Sequence, residues 1–524
     1  MTRTRRFIGG AGVGYLYQAV VAAAGLWLTP FLLRRLGQQE YGLWLTGAQV
    51  LAYLALLDLG VVALLPRETA YAAAERPGDP AATELPALVG RIAHLVLWQM
   101  PVVAVVAFAV WYEVPTEWAA LRQPLGLVLT AFVLTFPLRI FQGVLLGLQD
   151  LTFLSTLQLV CWTGGTLMTV ALVVSGWGLQ ALAAGGVLIQ FVPLAACWWR
   201  LQARFPGALP RGLPGWNWHQ SLPHVRRAGW MSLQKLAHLM INGADVLIVA
   251  KVFGPAAVVP YGCTQKLIAV LANQPQLLTE TALPAMSELK VGATREKRLT
   301  VSSALVLAML LSSGAVFSVI LAVNRTFVTW WVGPSQYAGA TLSVALLLTM
   351  VMRHWNTALA YSLLSFGYER RLSLTTLVDA VVSVAAALVF VQIVGLAGVP
   401  LGLLTGVLLV SLPANLSALA TESGVSVLTL LGGLKAWAIR IAIVAAFAAG
   451  TSLLSFAPTV TSLVFITAGV GVAYVLVAGP LAIRPPLEVY VRPILGRFHG
   501  LLNLVSFSSG PLVVSGTPND QLNK

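Results

Sequence analysis

The chain alternates between long apolar runs and short polar connections over most of its 524 residues. Runs near or above the ~20 residues that cross a ~30 Å hydrocarbon core recur from Gly9 to about Ile483. Dividing them at polar or Gly- and Pro-rich breaks predicts an all-α, polytopic membrane protein with about 14 transmembrane helices. The predicted spans are 10–33, 41–65, 91–112, 124–147, 153–175, 179–199, 228–252, 256–284, 300–323, 338–366, 372–393, 397–420, 437–456 and 459–482.

The longest polar connection runs from about Arg200 to Arg227 and is rich in Gly, Pro and Trp. It leaves six predicted spans before it and eight after it, which indicates a linker between two helix bundles. Beyond Pro485 the chain is too polar for a further span. The predicted organisation is an N-terminal bundle at 1–200, a cytoplasmic linker at 201–227, a C-terminal bundle at 228–420, two extra spans within 421–484 and a cytoplasmic tail at 485–524.

Charge supports this organisation. Only 10% of the residues are charged, against roughly 25% in soluble domains, too few to cover a water-soluble surface. The net charge of +14 would suggest a nucleic-acid partner, but the basic residues fall mostly in the short connections between apolar runs. With the N-terminus inside, 23 of the 32 Lys and Arg residues lie on that side, five lie outside and four lie within spans. Because the cytoplasmic face retains positive charge, both termini are predicted to be cytoplasmic, with no nucleic-acid partner.

Motifs for catalysis or cofactor binding are missing from the sequence. The three cysteines lie in or beside apolar runs without metal-ligand spacing, and no phosphate-binding loop or HExxH motif occurs. Gly398, Gly402 and Gly406 form a small-xxx-small pattern, which predicts close helix packing. We therefore predict no catalytic residue, metal or cofactor. A membrane polysaccharide polymerase or glycosyltransferase is disfavoured, since the longest outside connections are only about a dozen residues.

Two stretches of the first half are echoed in the second half. Gly37 and Gly254 each follow an apolar helix and a nearby basic residue, and each precedes a Tyr-Gly pair that opens the next helix. Arg139 and Arg353 each open a similar segment within a span. The separations are 217 and 214 residues, so the sequence predicts two structural repeats in parallel orientation.

At these positions the chain resembles a known transporter family. Leu36-Gly-Gln-Gln-Glu-Tyr-Gly-Leu-Trp44, Leu57-Asp-Leu-Gly60 and the segment 245–254 before Tyr261 are similar to the polysaccharide transporter and oligosaccharidyl-lipid flippase family. Its superfamily also holds multidrug and toxic compound extrusion proteins and lipid II flippases. The resemblance covers nearly all of residues 1–482. It implies two pseudo-repeated six-helix bundles in a V around a central cavity, two C-terminal helices, and alternating access.

The resemblance further implies a function and partners. The expected activity is export of an undecaprenyl-diphosphate-linked oligosaccharide, a precursor of O-antigen, exopolysaccharide or another glycan, across the bacterial inner membrane. Expected partners are this lipid-linked oligosaccharide, membrane lipids, H+ or Na+ as coupling ion, and polysaccharide assembly proteins. The alternative in the same fold is an ion-coupled multidrug antiporter. That alternative expects 12 spans and an acid-dominated cavity, whereas this chain has 14 predicted spans and several intramembrane cations.

Four basic residues lie inside predicted spans, where a charge is costly unless it faces a cavity or a partner. They are Arg139, Lys235, Lys266 and Arg353. If they face one cavity, they suit a diphosphate head group, because Arg offers a bidentate fork to phosphate oxygens and Lys offers a compact point charge. The alternative is that some pair with acidic residues as internal salt bridges or extend to the nearer interface.

Three acidic residues within spans are candidates for binding a coupling ion. Asp58 precedes a Leu-Gly pair, and Glu280 lies between Pro275 and Pro284, which favour a kinked helix. Asp245 lies seven residues after His238, on the same helix face. For each acid the alternative is a structural polar contact between helices.

Overall fold

The computed structural model describes residues 3–58, 62, 65–66, 68–70, 84–210, 212, 218–292, 294–454 and 456–497. Within these ranges the chain is helical and contains no strand, so the all-α prediction is confirmed. The helices, numbered along the chain, are α1 Arg3–Leu54, α2 Glu84–Tyr112, α3 Ala119–Thr135, α4 Arg139–Gly147, α5 Leu151–Val174, α6 Leu179–Arg204, α7 Trp218–Phe253, α8 Pro255–Gly292, α9 Arg295–Val332, α10 Ala340–Ser365, α11 Glu369–Val394, α12 Gly398–Gly406, α13 Leu412–Ser423, α14 Val427–Gly432, α15 Lys435–Leu453, α16 Val460–Ala478 and α17 Glu488–Arg497.

Each predicted span overlaps a helix of the structure. By length and composition, ten helical segments among the described residues are able to cross a membrane. Glu369–Ser423 contains two predicted spans, and Leu16–Asp58 overlaps two others, 10–33 and 41–65. The ten segments leave out two predicted spans, 256–284 and 338–366. Helices α8 and α10 coincide with these two spans. A multi-pass membrane protein is therefore established, while the number of 14 crossings stays a prediction.

Each half of the chain buries its own apolar core. One large cluster of buried residues lies between Leu43 and Ala208, and a larger one lies between Ala244 and Leu487. This arrangement suits two bundles, although the domain boundaries stay a prediction. Helix α6 extends to Arg204 and α7 begins at Trp218, so helix continues into both ends of the predicted linker. Residues 211 and 213–217 of the predicted linker and 498–524 of the predicted tail lie outside the described residues.

The two echoed glycines form equivalent turns. Gly37 divides α1 into two helices with φ 81° and ψ 170°, and Gly254 separates α7 from α8 with φ 83°. These left-handed conformations are accessible mainly to glycine. The turns also touch, since the Gln38 side-chain amide donates to the Ala256 carbonyl at 2.9 Å. The turns at these two glycines therefore lie against each other where the two halves meet.

Helices α11 and α12 approach each other closely along the predicted glycine pattern. A Cβ placed on Gly402 would lie 2.2 Å from the backbone nitrogen of Ala387, and one on Gly398 would lie 2.2 Å from the carbonyl carbon of Phe390. Real Cβ atoms do not reach such distances, so only glycine fits. The prediction of close helix packing here is confirmed.

The last two long helices, α15 and α16, dock on α9. The Trp437 indole donates to the Leu310 carbonyl at 3.1 Å, and the Tyr474 hydroxyl donates to the Leu311 carbonyl. Gly314 lies under the Tyr474 ring, where a Cβ would come within 2.9 Å of the hydroxyl oxygen. Two polar side chains thus attach the C-terminal pair of helices to consecutive carbonyls of one helix in the second half.

Candidate functional site

A cavity of about 1430 Å³ lies within the second half of the chain. The described residues that line it belong to α7, α8, α10, α11 and α12, and Glu68 alone comes from the first half. Its wall is rich in carboxamides, which both donate and accept hydrogen bonds. These amide residues are Gln234, Asn242, Gln265, Asn273, Gln276 and Asn356.

The cavity reaches one end of the helix bundle. Glu369 and Arg370, at the start of α11, line it there and are exposed. The distribution of basic residues predicts that this end faces the cytoplasm.

The two halves meet along a seam, where α1 packs against α7, α8 and α9. At the end of the molecule opposite the start of α11, neutral contacts close this seam. In addition to its bond to Ala256, the Gln38 side chain accepts a hydrogen bond from Gln336 at 3.2 Å. The Trp331 indole donates to the Leu26 carbonyl. Gly42 is so close to the second half that a Cβ would lie 1.9 Å from the Pro255 carbonyl oxygen.

Arg353 lies in the cavity wall and is held by a buried carboxylate. Its two terminal nitrogens donate to Asp379 at 2.7 and 3.0 Å, forming a bidentate pair. One of them also donates to the Ser383 hydroxyl at 3.0 Å and to the Leu403 carbonyl at 2.8 Å. The Arg353 side chain is 17% exposed and that of Asp379 is 1% exposed. The charge of Arg353 is therefore largely balanced within the wall.

The backbone near Asp379 is shaped around this pair. The Asp379 carboxylate also accepts from the Ser383 hydroxyl at 2.8 Å and from Ser411, which ends a short π-helical turn, Val407–Ser411. Gly406 precedes that turn, and a Cβ there would lie 2.5 Å from an Asp379 carboxylate oxygen. Because Gly406 has no side chain and the π-helical turn follows it, α12 and α13 pack directly against the ion pair.

Asp245 is the second buried acid of the cavity, and its partners are neutral. The residue is 4% exposed and accepts from the Tyr261 hydroxyl at 3.2 Å and from the Gln265 amide at 3.4 Å. The backbone amide of Val246 donates to its other oxygen at 2.9 Å. No basic side chain within the described residues forms an ion pair with it.

Three other predicted residues converge at the seam between the halves rather than in the cavity wall. Lys235 of α7 places its Nζ 4.0 Å from a carboxylate oxygen of Asp58, which ends the 3-10 turn Ala55–Asp58 after α1. Arg139 stacks 5.9 Å from the ring centres of Phe132 and Phe136 and interacts electrostatically with Asp58. The structure thus brings together one predicted acid and two predicted cations.

The remaining two candidates lie apart from both groups. The Lys266 ammonium faces α1, because a Cβ on Gly25 would lie 3.4 Å from Lys266 Nζ. Glu280 is exposed near Tyr361, with which it interacts electrostatically. Of the seven predicted residues, only Arg353 and Asp245 are among the described residues that line the cavity. The substrate and ion-coupling roles of all seven stay predictions.

The described lining of the cavity is richer in acids than in cations. It holds two basic residues, Arg353 and Arg370, and four acidic ones, Glu68, Asp245, Glu369 and Asp379. His238 and His354 add two titratable groups, and His354 Nδ1 lies 2.7 Å from the Ser313 hydroxyl. For Arg353 the structure has the internal ion pair that the sequence left open as the alternative to a free cation.

Asp379 is not among the site residues predicted from the sequence, although a carboxylate inside an apolar span indicates a functional site or a charged partner. Ser383 lies one helical turn after it, on the same face, and Gly406 lies in the glycine pattern of α12. Together these residues mark the place where α11 carries a buried charge and α12 comes close. The sequence does not indicate that Arg353 is the partner of Asp379, because the two residues meet through packing between helices.

Comparison with known proteins agrees with this architecture. Residues 125–322 match the sequence model of a family described as polysaccharide biosynthesis protein. No curated protein matches the chain. Among solved structures, the chain is similar to the lipid II flippase MurJ in an inward closed conformation, with a TM-score of 0.66 and 9% identity, over 91% of this chain and 100% of that one.

Two further solved structures share the fold with lower TM-scores. A MATE protein in the bent conformation matches with a TM-score of 0.52 and 15% identity, over 80% of this chain and 96% of that one. An inward-facing multidrug resistance MATE family transporter of the MOP superfamily matches with a TM-score of 0.51 and 15% identity, over 82% of this chain and 96% of its own. At such low identities the likeness establishes the fold.

The helical architecture and these matches show a multi-pass membrane protein with the fold shared by the lipid II flippase MurJ and the MATE proteins. The family match over residues 125–322 and the shared fold support the polysaccharide and lipid-linked flippase family that the sequence motifs resemble.

Proposed function

We propose that the chain moves a polyprenyl-diphosphate-linked oligosaccharide across the bacterial inner membrane by alternating access, with both termini in the cytoplasm. The observation that carries the proposal is the cavity of about 1430 Å³ with its amide-rich wall. Pockets for drug-sized ligands measure about 300–1,000 Å³. This cavity suits a larger, hydroxyl-rich head group. The polyprenyl tail would stay in the surrounding lipid.

The wall chemistry matches the proposed head group. Each sugar hydroxyl both donates and accepts a hydrogen bond, and a carboxamide meets both needs without adding charge. Asn273 and Gln276 lie on α8 about one turn apart, and Asn242 lies on α7. Neutral hydrogen-bonding groups also bind weakly enough to release a substrate on the far side. The described wall thus suits transient binding of an oligosaccharide.

The family match supports the same cargo. The matched family is described by polysaccharide biosynthesis, and one protein of the same fold is named for flipping lipid II. A polysaccharide precursor carried on a lipid combines these two descriptions. O-antigen and exopolysaccharide precursors belong to this substrate class, and polysaccharide assembly proteins would receive the product.

Energy for the cycle would come from a coupling ion, H+ or Na+, or from consumption of the product. Of the three predicted ion-coupling acids, Asp245 combines burial with a place in the cavity wall. Asp58 lies next to Lys235, and Glu280 is exposed. A buried carboxylate with only neutral partners gains most from binding a cation or a proton, so Asp245 is the preferred candidate.

Transport in proteoliposomes tests the proposal. The substrate is a fluorescent undecaprenyl-diphosphate oligosaccharide, and flipping is measured as its accessibility to a membrane-impermeant quencher. Replacing both Asn273 and Gln276 by Leu removes two amides from the wall and should abolish most of the transport. Gln180→Leu is the matched control, because Gln180 is half-buried outside the described cavity lining, where its amide donates to the Gln123 side chain at 3.2 Å. Native transport rates in the double variant would contradict the role of this wall.

One observation favours a second candidate, an ion-coupled multidrug antiporter. The described lining holds four carboxylates and two cations, a balance that suits a cationic drug better than a diphosphate. Two solved structures of similar fold are multidrug transporters. The same proteoliposomes distinguish the two functions when they are loaded with a cationic dye and given a pH or sodium gradient. Gradient-driven dye transport without lipid flipping would favour the antiporter.

A further inference from the structure

Asp245 places a carboxylate in the wall of the large cavity. Its described hydrogen-bond partners all donate: the Val246 amide at 2.9 Å, the Tyr261 hydroxyl at 3.2 Å and the Gln265 side chain at 3.4 Å. An ionised carboxylate only accepts hydrogen bonds, whereas a protonated one also carries a donor. The surroundings of Asp245 therefore suit a negative charge, and none of these described partners neutralises it.

The two cations of the described lining do not offset this charge. Arg353 donates from both terminal nitrogens to Asp379, at 2.7 and 3.0 Å, so its own charge is balanced within the wall. Arg370 is exposed at the end of the cavity, where solvent and salt screen it. Glu68 adds a further carboxylate to the described lining. An anion that enters the cavity thus meets more negative than positive charge in the described wall.

We propose that Asp245 makes the cavity selective by charge, so that it accepts oligosaccharides of neutral sugars and disfavours those that contain a uronic acid. This inference rests on the proposed function, because it names the class of sugars that the chain carries. The amides of the wall bind the hydroxyls of either kind of sugar and do not distinguish them. Discrimination between similar ligands often depends on an element that repels the wrong one. Asp245 supplies that repulsion.

The repulsion is large enough to set specificity. At an effective dielectric constant of about 20, two like charges about 12 Å apart still repel by an amount that corresponds to about tenfold in affinity. The described wall gives a sugar carboxylate little compensation, because Arg353 is already held by Asp379 and Ser383. An acidic head group therefore loses affinity that a neutral head group of the same shape keeps.

Three matched lipid-linked tetrasaccharides test the inference. Each is an undecaprenyl diphosphate with the same sugar backbone, in which one sugar is glucose, glucuronamide or glucuronic acid. Glucuronamide has nearly the shape of glucuronic acid without its charge, so the comparison of these two isolates the charge. Binding to the full chain in lipid nanodiscs is measured in a sodium-free, mildly alkaline buffer. This buffer withholds both candidate coupling ions and favours the neutral form of histidine side chains such as His238 and His354.

The native chain should bind the glucuronamide head group about tenfold more tightly than the glucuronic acid head group. Asp245→Asn should bind the two with nearly equal affinity, because it removes the charge and keeps the shape of the side chain. Asp245→Glu keeps the charge and should keep the preference. Asp150→Asn is the matched control, since Asp150 pairs with Arg200 in the first half, outside the described cavity lining. It should discriminate as the native chain does.

A further variant keeps the inference testable if Asp245→Asn does not fold. Asn273→Asp adds another carboxylate to the same wall and should widen the preference for glucuronamide. Equal affinity of the native chain for the two head groups would overturn the inference, and so would tighter binding of the acidic one. A preference that is unchanged in Asp245→Asn would also overturn it, because the discrimination would then come from another group.

Flipping of the same three lipids in proteoliposomes separates this inference from the proposed function. A chain that flips all three at the same rate and binds them equally would support the proposed function and overturn the inference. A chain that binds with the expected preference but flips none of them would overturn only the proposed function. Failure to bind any of the three would overturn the inference as well.

Discussion

Gly37 and Gly254 share a positive φ, of 81° and 83°, although 217 residues separate them. Each ends a long helix, and the residues that follow them meet across the seam, where Gln38 donates to the Ala256 carbonyl at 2.9 Å. The internal echo in the sequence thus corresponds to an equivalent turn in each half. The contact between the two turns fixes the halves relative to each other at one end of the molecule.

The Gly37 turn should not tolerate a side chain. Its φ of 81° and ψ of 170° lie in a region that is almost restricted to glycine. Gly37→Ala is therefore expected to lower stability by about 1–3 kcal/mol. Thermal unfolding in detergent measures the effect. Gly164→Ala is the control, because Gly164 is helical with open space at its Cβ position. Equal unfolding temperatures for the two variants would contradict the prediction.

The Arg353–Asp379 pair should contribute strongly to the stability of the second half. Removing one partner of a buried ion pair costs about 3–5 kcal/mol, since the other charge stays behind without compensation. Asp379→Asn is expected to show this loss in thermal unfolding. Asp150→Asn breaks the pair with Arg200, whose side chains are 15% and 23% exposed, and should cost less. A smaller loss for Asp379→Asn than for Asp150→Asn would disprove the expectation.

Close packing between α11 and α12 should depend on Gly402. A single methyl group there would overlap the backbone of Ala387, so the helices must separate. We expect Gly402→Ala to destabilise the protein by about 1–3 kcal/mol, the usual range for overpacking. Gly469→Ala in α16 adds the same methyl group where nothing lies within 4 Å. Unfolding in detergent should distinguish the two variants clearly.

The sealed end of the seam should open when Gly42 is enlarged. A Cβ at this position would lie 1.9 Å from the Pro255 carbonyl oxygen, so Gly42→Val pushes α8 away from α1. Cys263 on α8 is buried beside this contact, 3% exposed, and reports on the opening. Its labelling by a hydrophilic maleimide should increase in Gly42→Val.

The labelling experiment needs a background without the other two cysteines, Cys161 and Cys197, both of which are buried. Gly471→Val serves as the control, since a side chain there meets nothing within 4 Å. Unchanged labelling of Cys263 in Gly42→Val would show that the packing at this end adjusts without opening the seam.

The spans could be predicted from the sequence because the bilayer fixes how many apolar residues a crossing needs. The turns at Gly37 and Gly254 could also be predicted, since a left-handed backbone requires a particular residue type at a particular place. Both features depend on local properties of the chain. The predicted spans accordingly coincide with helices, and the close approach of α11 and α12 follows from Gly398 and Gly402.

The surroundings of the charged residues could not be predicted in the same way. Arg139 and Arg353 occupy similar places in the repeat, yet Arg353 pairs with Asp379 beside the cavity, whereas Arg139 packs against two Phe rings. The periodicity of a helix indicates which residues share a face, but not which neighbouring helix that face meets. Those neighbours depend on packing between segments distant in sequence, such as α10 and α11.

The cavity wall belongs almost wholly to one half of the chain, with Glu68 as the described exception. A wall carried by a single half moves as a unit, so it offers much the same contacts to a sugar chain whichever side of the membrane it faces. A ligand that binds two states equally well shifts neither. In the function proposed above, the wall therefore gives the cargo no preferred direction, and one-way movement must be imposed by supply on one side, removal on the other, or an ion gradient.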